Sequence, residues 1–186
     1  MKRSELQTAL DEMDSVFKKW LFRTGDFLTL FPNESRENIV QSLHRHVRAG
    51  VLVRVCRGVY TNDRARSRTH TAFVLARFLR PRNFVYLSRE VRLQQMGLIT
   101  QVYVDYLSLM TDGRTQTFNT PYGIINYTHT ERSWESISEH LTYNHETGLW
   151  EADEELATLD LRRSRNKAHI GMFLEEKERS VGAHAF

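Results

Sequence analysis

Apolar positions along the chain change period several times, and each change marks an element. Leu6, Leu10, Met13, Val16 and Phe17 recur at helical spacing, which predicts an amphipathic first helix with Ser4 as candidate cap. Trp20, Leu21 and Phe22 follow as a short apolar lead-in. TGDFLTLFPN then predicts a compact second helix, with Thr24 as candidate cap and Phe27, Leu28 and Leu30 facing inward. Pro32 ends it, because proline lacks the next helical donor. Residues 35–50 predict a third helix: Ser35 caps its first turn, Gly50 leaves it in a left-handed conformation, and Ile39, Leu43 and Val47 form one apolar stripe. Beyond it Val51, Val53 and Val55 alternate with Leu52, Arg54 and Cys56, the pattern of a short β-hairpin bent at Arg57-Gly58.

The second half is more β-rich. Ala72, Val74, Leu75 and Phe78 predict a helix within residues 68–79, stopped by Arg80-Pro81-Arg82-Asn83. Residues 84–87 read as a buried strand, and Ser88 as the cap of a helix that runs toward Met96 and ends at Gly97. Residues 101–110, 114–119 and 123–129 are short strand-like runs, with Asp112-Gly113 as a hairpin turn between the first two. A short helix over 133–141 and a turn at 146–148 precede a last helix from near Asp153, with Leu156, Ala157 and Leu161 inward. Asp153, Glu154 and Glu155 at its start and Arg162, Arg163 and Arg165 toward its end suit the helix dipole. Residues 175–186 read as a fraying helix end or loose surface. Three helices with a tight second-to-third connection and then a hairpin predict a winged helix-turn-helix over residues 1–65. The expected class is therefore α+β, with residues 66–186 forming a mixed α/β C-terminal domain around a small, mostly antiparallel sheet.

Composition narrows the classes. At 40% apolar and 26% charged, the chain is that of an ordinary globular protein. The single cysteine, Cys56, excludes an intrachain disulfide, and the N-terminus has no apolar signal core. With no run of eighteen apolar residues, a cytoplasmic protein that does not span a membrane is expected. The net charge of +3 is unevenly spread: residues 1–70 carry 13 Lys/Arg against 8 Asp/Glu, residues 71–186 carry 13 against 15. Residues 131–160 hold nine acids and one arginine. A solvated basic face has a similar composition, so the helix and hairpin carry the reading: the arginine field of the first half suits duplex DNA. Asn38 and Gln41 have the donor–acceptor pairs that read an adenine edge, and Arg36 and Arg45 suit guanine or phosphate. Arg48 on the same helix, Arg54 and Arg57 on the hairpin and Arg64 beyond it complete the candidate DNA-binding set, with Arg66 and Arg68 close by. His44 and His46 are not expected as metal ligands, and His46 is expected as a half-buried packing residue. No phosphate loop, Cys-x-x-Cys pair or His-Glu-x-x-His motif occurs, so neither enzyme, metal nor cofactor is expected. Asp160 is singled out as an acid within an amphipathic helix, read as a cap or an interdomain ion-pair residue.

The order of these elements resembles the AbiEi-type antitoxins, transcriptional regulators of bacterial type IV toxin–antitoxin systems. Three blocks carry the likeness, RVCRGVYT (54–61), FVYLSREVRLQQMGL (84–98) and WEADEELATLDL (150–161), and the resemblance as a whole covers about residues 7–165. The resemblance implies a repressor that binds operator repeats through its winged helix and a C-terminal domain that neutralises a nucleotidyltransferase-like toxin, directly or indirectly. It places Arg36, Asn38, Gln41 and Arg45 on the groove-facing helix and Arg54 and Arg57 on the wing. It marks Tyr86, Ser88, Gly97, Glu154 and Asp160 as the C-terminal motif. Arg89-Glu90-Val91 departs from the small-residue Glu-Ser-Ala pattern usual in the family, and Leu156 stands where a lysine is common. A stand-alone winged-helix regulator whose second domain dimerises or senses an effector is the alternative, and an accessory nuclease or nucleotidyltransferase-related enzyme the third. A monomer or weak dimer is expected.

Overall fold

In the computed structural model, which describes residues 1–99 and 105–163, the chain falls into two units, Met1–Thr71 and Ala72–Phe186. The first helix, α1 (Arg3–Phe17), starts from Lys2 and not from Ser4. The Glu5 carboxylate accepts the Lys2 N–H at 2.7 Å, so Ser4 already lies in the first turn. The same device starts α2 (Thr24–Leu30), where Asp26 accepts the Arg23 N–H at 2.6 Å and Thr24 is the first helical residue, not the cap. In α3 (Arg36–Arg48) the Ser35 hydroxyl accepts the Asn38 N–H at 3.2 Å, and Gly50 at φ 65° turns the chain away.

The apolar lead-in is a strand. β1 (Leu21–Arg23) pairs with β3 (Val59–Thr61), which also pairs with β2 (Val53–Cys56), giving an antiparallel sheet in the order β1-β3-β2. A register shift between Arg54 and Cys56 breaks the regular alternation of β2. Gly58, at φ 74°, closes the turn, and its carbonyl accepts the Thr24 N–H at 3.0 Å, tying the hairpin to the start of α2. Leu6, Leu10, Phe22, Phe27, Ile39, Leu43, Leu52 and Tyr60 make the core, whereas Leu28, Leu30 and Val47 are only partly buried at its edge. The unit extends past residue 65, the expected boundary, because Asp14 holds the next segment. Its carboxylate accepts the Arg66 N–H at 2.8 Å, the Ser67 N–H at 3.1 Å and the Ser67 hydroxyl.

After α4 (Thr71–Leu79), whose first residue is the last of the first unit, the second unit holds β4 (Val85–Leu87), α5 (Arg89–Gln95), β5 (Tyr106–Thr111), β6 (Gln116–Thr120), β7 (Gly123–His129), α6 (Trp134–Ile137), β8 (Leu141–Asn144), β9 (Leu149–Ala152) and α7 (Glu154–Arg162). Its sheet is larger than expected and mixed: six strands run in the order β6-β7-β5-β4-β9-β8, with three antiparallel and two parallel pairings. Asp112-Gly113 makes no hairpin. β6 stands one strand away from β5, and β7 returns between them, parallel to β5. The dipeptide has another partner: Asp112 Oδ1 accepts the Phe84 N–H at 3.0 Å, and a Cβ on Gly113 would lie 2.9 Å from the Arg80 and Asn83 side chains. The turn at 146–148 joins β8 to β9, two strands of four residues each, too short for their patterns to mark them. Tyr86, Leu93, Met110, Ile137, Ala152, Leu156, Ala157 and Leu161 form the core between sheet, α5 and α7. The expected first strand-like run lies partly, and Arg165 and residues 175–186 wholly, outside the described residues.

Two glycines are at opposite extremes. Gly123 has φ 108°, and a Cβ there would sit 2.3 Å from the Asp105 carbonyl oxygen. Gly25, in exposed α2, has nothing within 4 Å of that position. Gly123→Ala should destabilise the fold by about 3 kcal/mol or more, whereas Gly25→Ala should stabilise it by about 0.5–1 kcal/mol. Urea unfolding of both variants beside the parent checks the pair.

Candidate functional site

An amphipathic helix that buries one side must present the other, and α3 does so with long polar side chains. Ile39, Leu43 and His46 are buried, while Arg36, Asn38, Gln41, Arg45 and Arg48 are all exposed. The 3.6-residue period sorts the exposed residues further. Glu37, Gln41, His44 and Arg48 share the stripe opposite Ile39 and Leu43, and all four are exposed. Asn38 and Arg45 stand on one flank, where they have partners. Arg45 Nη2 donates to the Met1 carbonyl at 2.9 Å, and the Asn38 side chain reaches Glu34. Glu34 in turn pairs with the Met1 ammonium, which holds its carboxyl below the usual range. The centre of the face thus includes Glu37 and His44, neither of which is in the expected DNA-binding set; counting the helical period outward from Ile39 finds both.

The hairpin adds Arg54 and Arg57. Both are exposed, with Arg57 at the turn and Arg54 Nε donating to the Cys56 carbonyl at 3.4 Å. Arg64 belongs elsewhere: it lines a cleft along α1 with Gln7, Leu10 and Asp11, and Arg68 pairs with Asp63 at 3.3 Å. The eight predicted residues therefore split into a helix-and-hairpin set and Arg64. His46 is buried outright, not half-buried, at 3% exposure, and among the described residues its Nε2 has no partner. Burial lowers its pKa, so it is held neutral.

The C-terminal motif residues also divide. Asp160 is 3% exposed and accepts three bonds: from the Tyr86 hydroxyl at 2.9 Å, the Ser88 hydroxyl at 2.8 Å and Arg132 Nη1 at 2.5 Å. It is neither a cap nor an interdomain ion-pair residue, for all its partners lie in the second unit. Ser88 stands at the N-cap of α5 but gives its hydroxyl to Asp160 and caps nothing. Burial first, then the Asp160 charge, raises the Tyr86 pKa, so its hydroxyl remains a donor. Gly97 lies beyond the far end of α5 at φ 74°, and Glu154 is exposed in the first turn of α7. Arg132 is the residue that sequence reading missed. Its signal was its isolation as the one arginine among the nine acids of residues 131–160.

Among the described residues no three or more His, Cys, Asp or Glu group to hold a metal ion, and no helix is long and apolar enough to cross a membrane. No protein-family model matches the chain, and no curated protein matches it.

Removing Asp160 leaves the half-buried Arg132 charge and two hydroxyls without their acceptor. Asp160→Ala should cost about 3–5 kcal/mol, and Tyr86→Phe, which leaves the ion pair, about 1 kcal/mol; chemical denaturation separates the two. His46 predicts a pH effect. Its folded pKa lies below the unfolded value, so the stability tied to its neutral form is present above the ordinary value of 6.5 and is lost as pH falls through the folded one. Denaturation at about pH 7.5 and about pH 5.5 should show this loss in the parent and a smaller one in His46→Phe.

Proposed function

We infer that this protein is a sequence-specific DNA-binding transcriptional repressor and that its first unit works as a winged helix-turn-helix. The observation that carries the reading is the exposed face of α3, where Gln41, His44 and Arg48 share one stripe with Glu37, followed along the chain by a hairpin bearing exposed Arg54 and Arg57. A helix is narrow enough for the major groove, where Gln41 donates to adenine N6's neighbour N7 and accepts from N6. Arg48, Arg54 and Arg57 hold phosphates or enter the minor groove, which positions the helix without selecting sequence. Asn38 and Arg45 take part after leaving their partners at the N-terminus.

The likeness to AbiEi-type antitoxins extends the reading to autoregulation of an operon and neutralisation of a nucleotidyltransferase-like toxin. One structural observation supports that extension: Tyr86 and Ser88 of the second block of the resemblance meet Asp160 of the third. A stand-alone regulator is the second reading, favoured by Arg89-Glu90-Val91, whose arginine and glutamate are buried where the family has small residues.

Gel shifts of the full chain on the DNA upstream of its own gene test the repressor. Gln41→Ala should cost about 1–3 kcal/mol and relax preference at one base position. Arg57→Ala should weaken all sequences alike and reduce the salt dependence. Uniform loss in Gln41→Ala across a randomised duplex library would remove α3 from the groove. Co-expression with a neighbouring nucleotidyltransferase gene, scored by growth, tests the antitoxin role. Glu154→Lys with Glu155→Lys should leave operator binding intact and impair rescue only where the toxin is contacted directly. Absence of rescue by the intact protein would favour the stand-alone regulator.

A further inference from the structure

A cavity of about 170 Å³ in the second unit is walled by Arg77, Arg80, Asn83, Phe84, Tyr143 and Trp150. Its aromatic side continues outward as a row of rings in edge-to-face contact. Phe84 meets Trp134 at 5.1 Å, Trp134 meets Trp150 at 4.9 Å, and Trp150 meets Tyr143 at 5.2 Å. Trp134 is 42% exposed, far more than burial of so large an apolar side chain would leave.

The charged side of the cavity is uncompensated. Arg77 makes a 3.4 Å bond to the Tyr143 hydroxyl, and Arg80 Nη2 donates to the Arg114 carbonyl and Gln116 Oε1 while its guanidinium lies 4.9 Å from the Tyr127 ring centre. Among the described residues neither arginine pairs with a carboxylate, and the buried Arg80 Nε has no acceptor. Gly148 keeps the space open, since a Cβ there would lie 3.2 Å from Arg77 Nη1.

We propose that this cavity binds a nucleoside monophosphate, free or at the end of an oligonucleotide, with the phosphate on Arg77 and Arg80 and the base on the Trp134–Trp150 row. Two guanidinia without a carboxylate partner match the roughly −1.5 to −2 charge of a phosphate monoester better than the single charge of a carboxylate. The cavity is smaller than the usual few hundred Å³ of a whole-ligand pocket. It therefore takes the phosphate, while a planar base lies on the exposed rings, which stack any base. This site is independent of duplex binding by the first unit.

The test is calorimetry on the full chain with adenosine 5′-monophosphate, adenosine, inorganic phosphate and a 5′-phosphorylated tetranucleotide, with tryptophan fluorescence recorded in parallel. Trp20 is buried in the first unit, so a change on binding reports Trp134 and Trp150. The monophosphate should bind with a change in fluorescence, and adenosine and phosphate each more weakly. Arg77→Gln, at an exposed position that leaves the thermal midpoint unchanged, should weaken binding by about tenfold or more. Tighter binding by the mononucleotide assigns the site to a free nucleotide, and tighter binding by the tetranucleotide to a strand end. No heat from either, phosphate binding as well as the mononucleotide, or full affinity in Arg77→Gln each overturns the proposal.

Discussion

The buried carboxylate of Asp160 constrains the second unit more than any other group. It joins α7 to β4 through Tyr86, to the start of α5 through Ser88, and to the segment after β7 through Arg132. A carboxylate removed from water is tolerated only when its lone pairs are filled, and here two hydroxyls and a guanidinium fill them. The geometry is demanding in both directions. Arg132 is itself half-buried and is satisfied only while α7 lies against β4 and β9, so helix and sheet fix each other. The ion pair of Arg92 with Glu151, at 3.0 Å, repeats this link between α5 and β9 at a more open position.

The first unit is held by packing instead. Its core is a compact set of apolar side chains from α1, α2, α3 and the sheet, with Phe27 set between Phe22 and Tyr60. One helix then does two jobs. Ile39, Leu43 and His46 fasten α3 to the core, which leaves Glu37, Gln41, His44 and Arg48 exposed on the other side. The buried side includes His46, whose pKa burial lowers, so the core packing of α3 favours its neutral form.

Some features of the chain follow from residues in local contact. The extent of α3, its Ser35 cap and Gly50 exit, the Arg57-Gly58 turn, and Asp153 as the cap of α7, accepting the Leu156 N–H at 2.8 Å, all involve groups within a few positions of one another. Others resist reading even though they are short. Ser4, Thr24 and Ser88 are all good capping residues. Yet Glu5 and Asp26 start two of those helices one turn from the inside, and Ser88 is drawn to a carboxylate far along the chain. β1 is too short to show a period, and only its pairing with β3 makes it a strand.

By itself the sequence determined the placement of helices α1 to α3 and the hairpin, the concentration of arginine in the first half, and the exposure of the α3 polar face. Periodicity and charge are properties of neighbouring residues, so they are legible before folding. Only the tertiary structure decided that β7 inserts between β5 and β6, that Arg132 answers Asp160, and that Arg64 lies along α1 away from α3. It alone gathered Arg77 and Arg80 with Phe84, Tyr143 and Trp150 around one cavity. These are pairings between distant segments, selected by which buried polar groups can be satisfied together, and no local pattern encodes that choice.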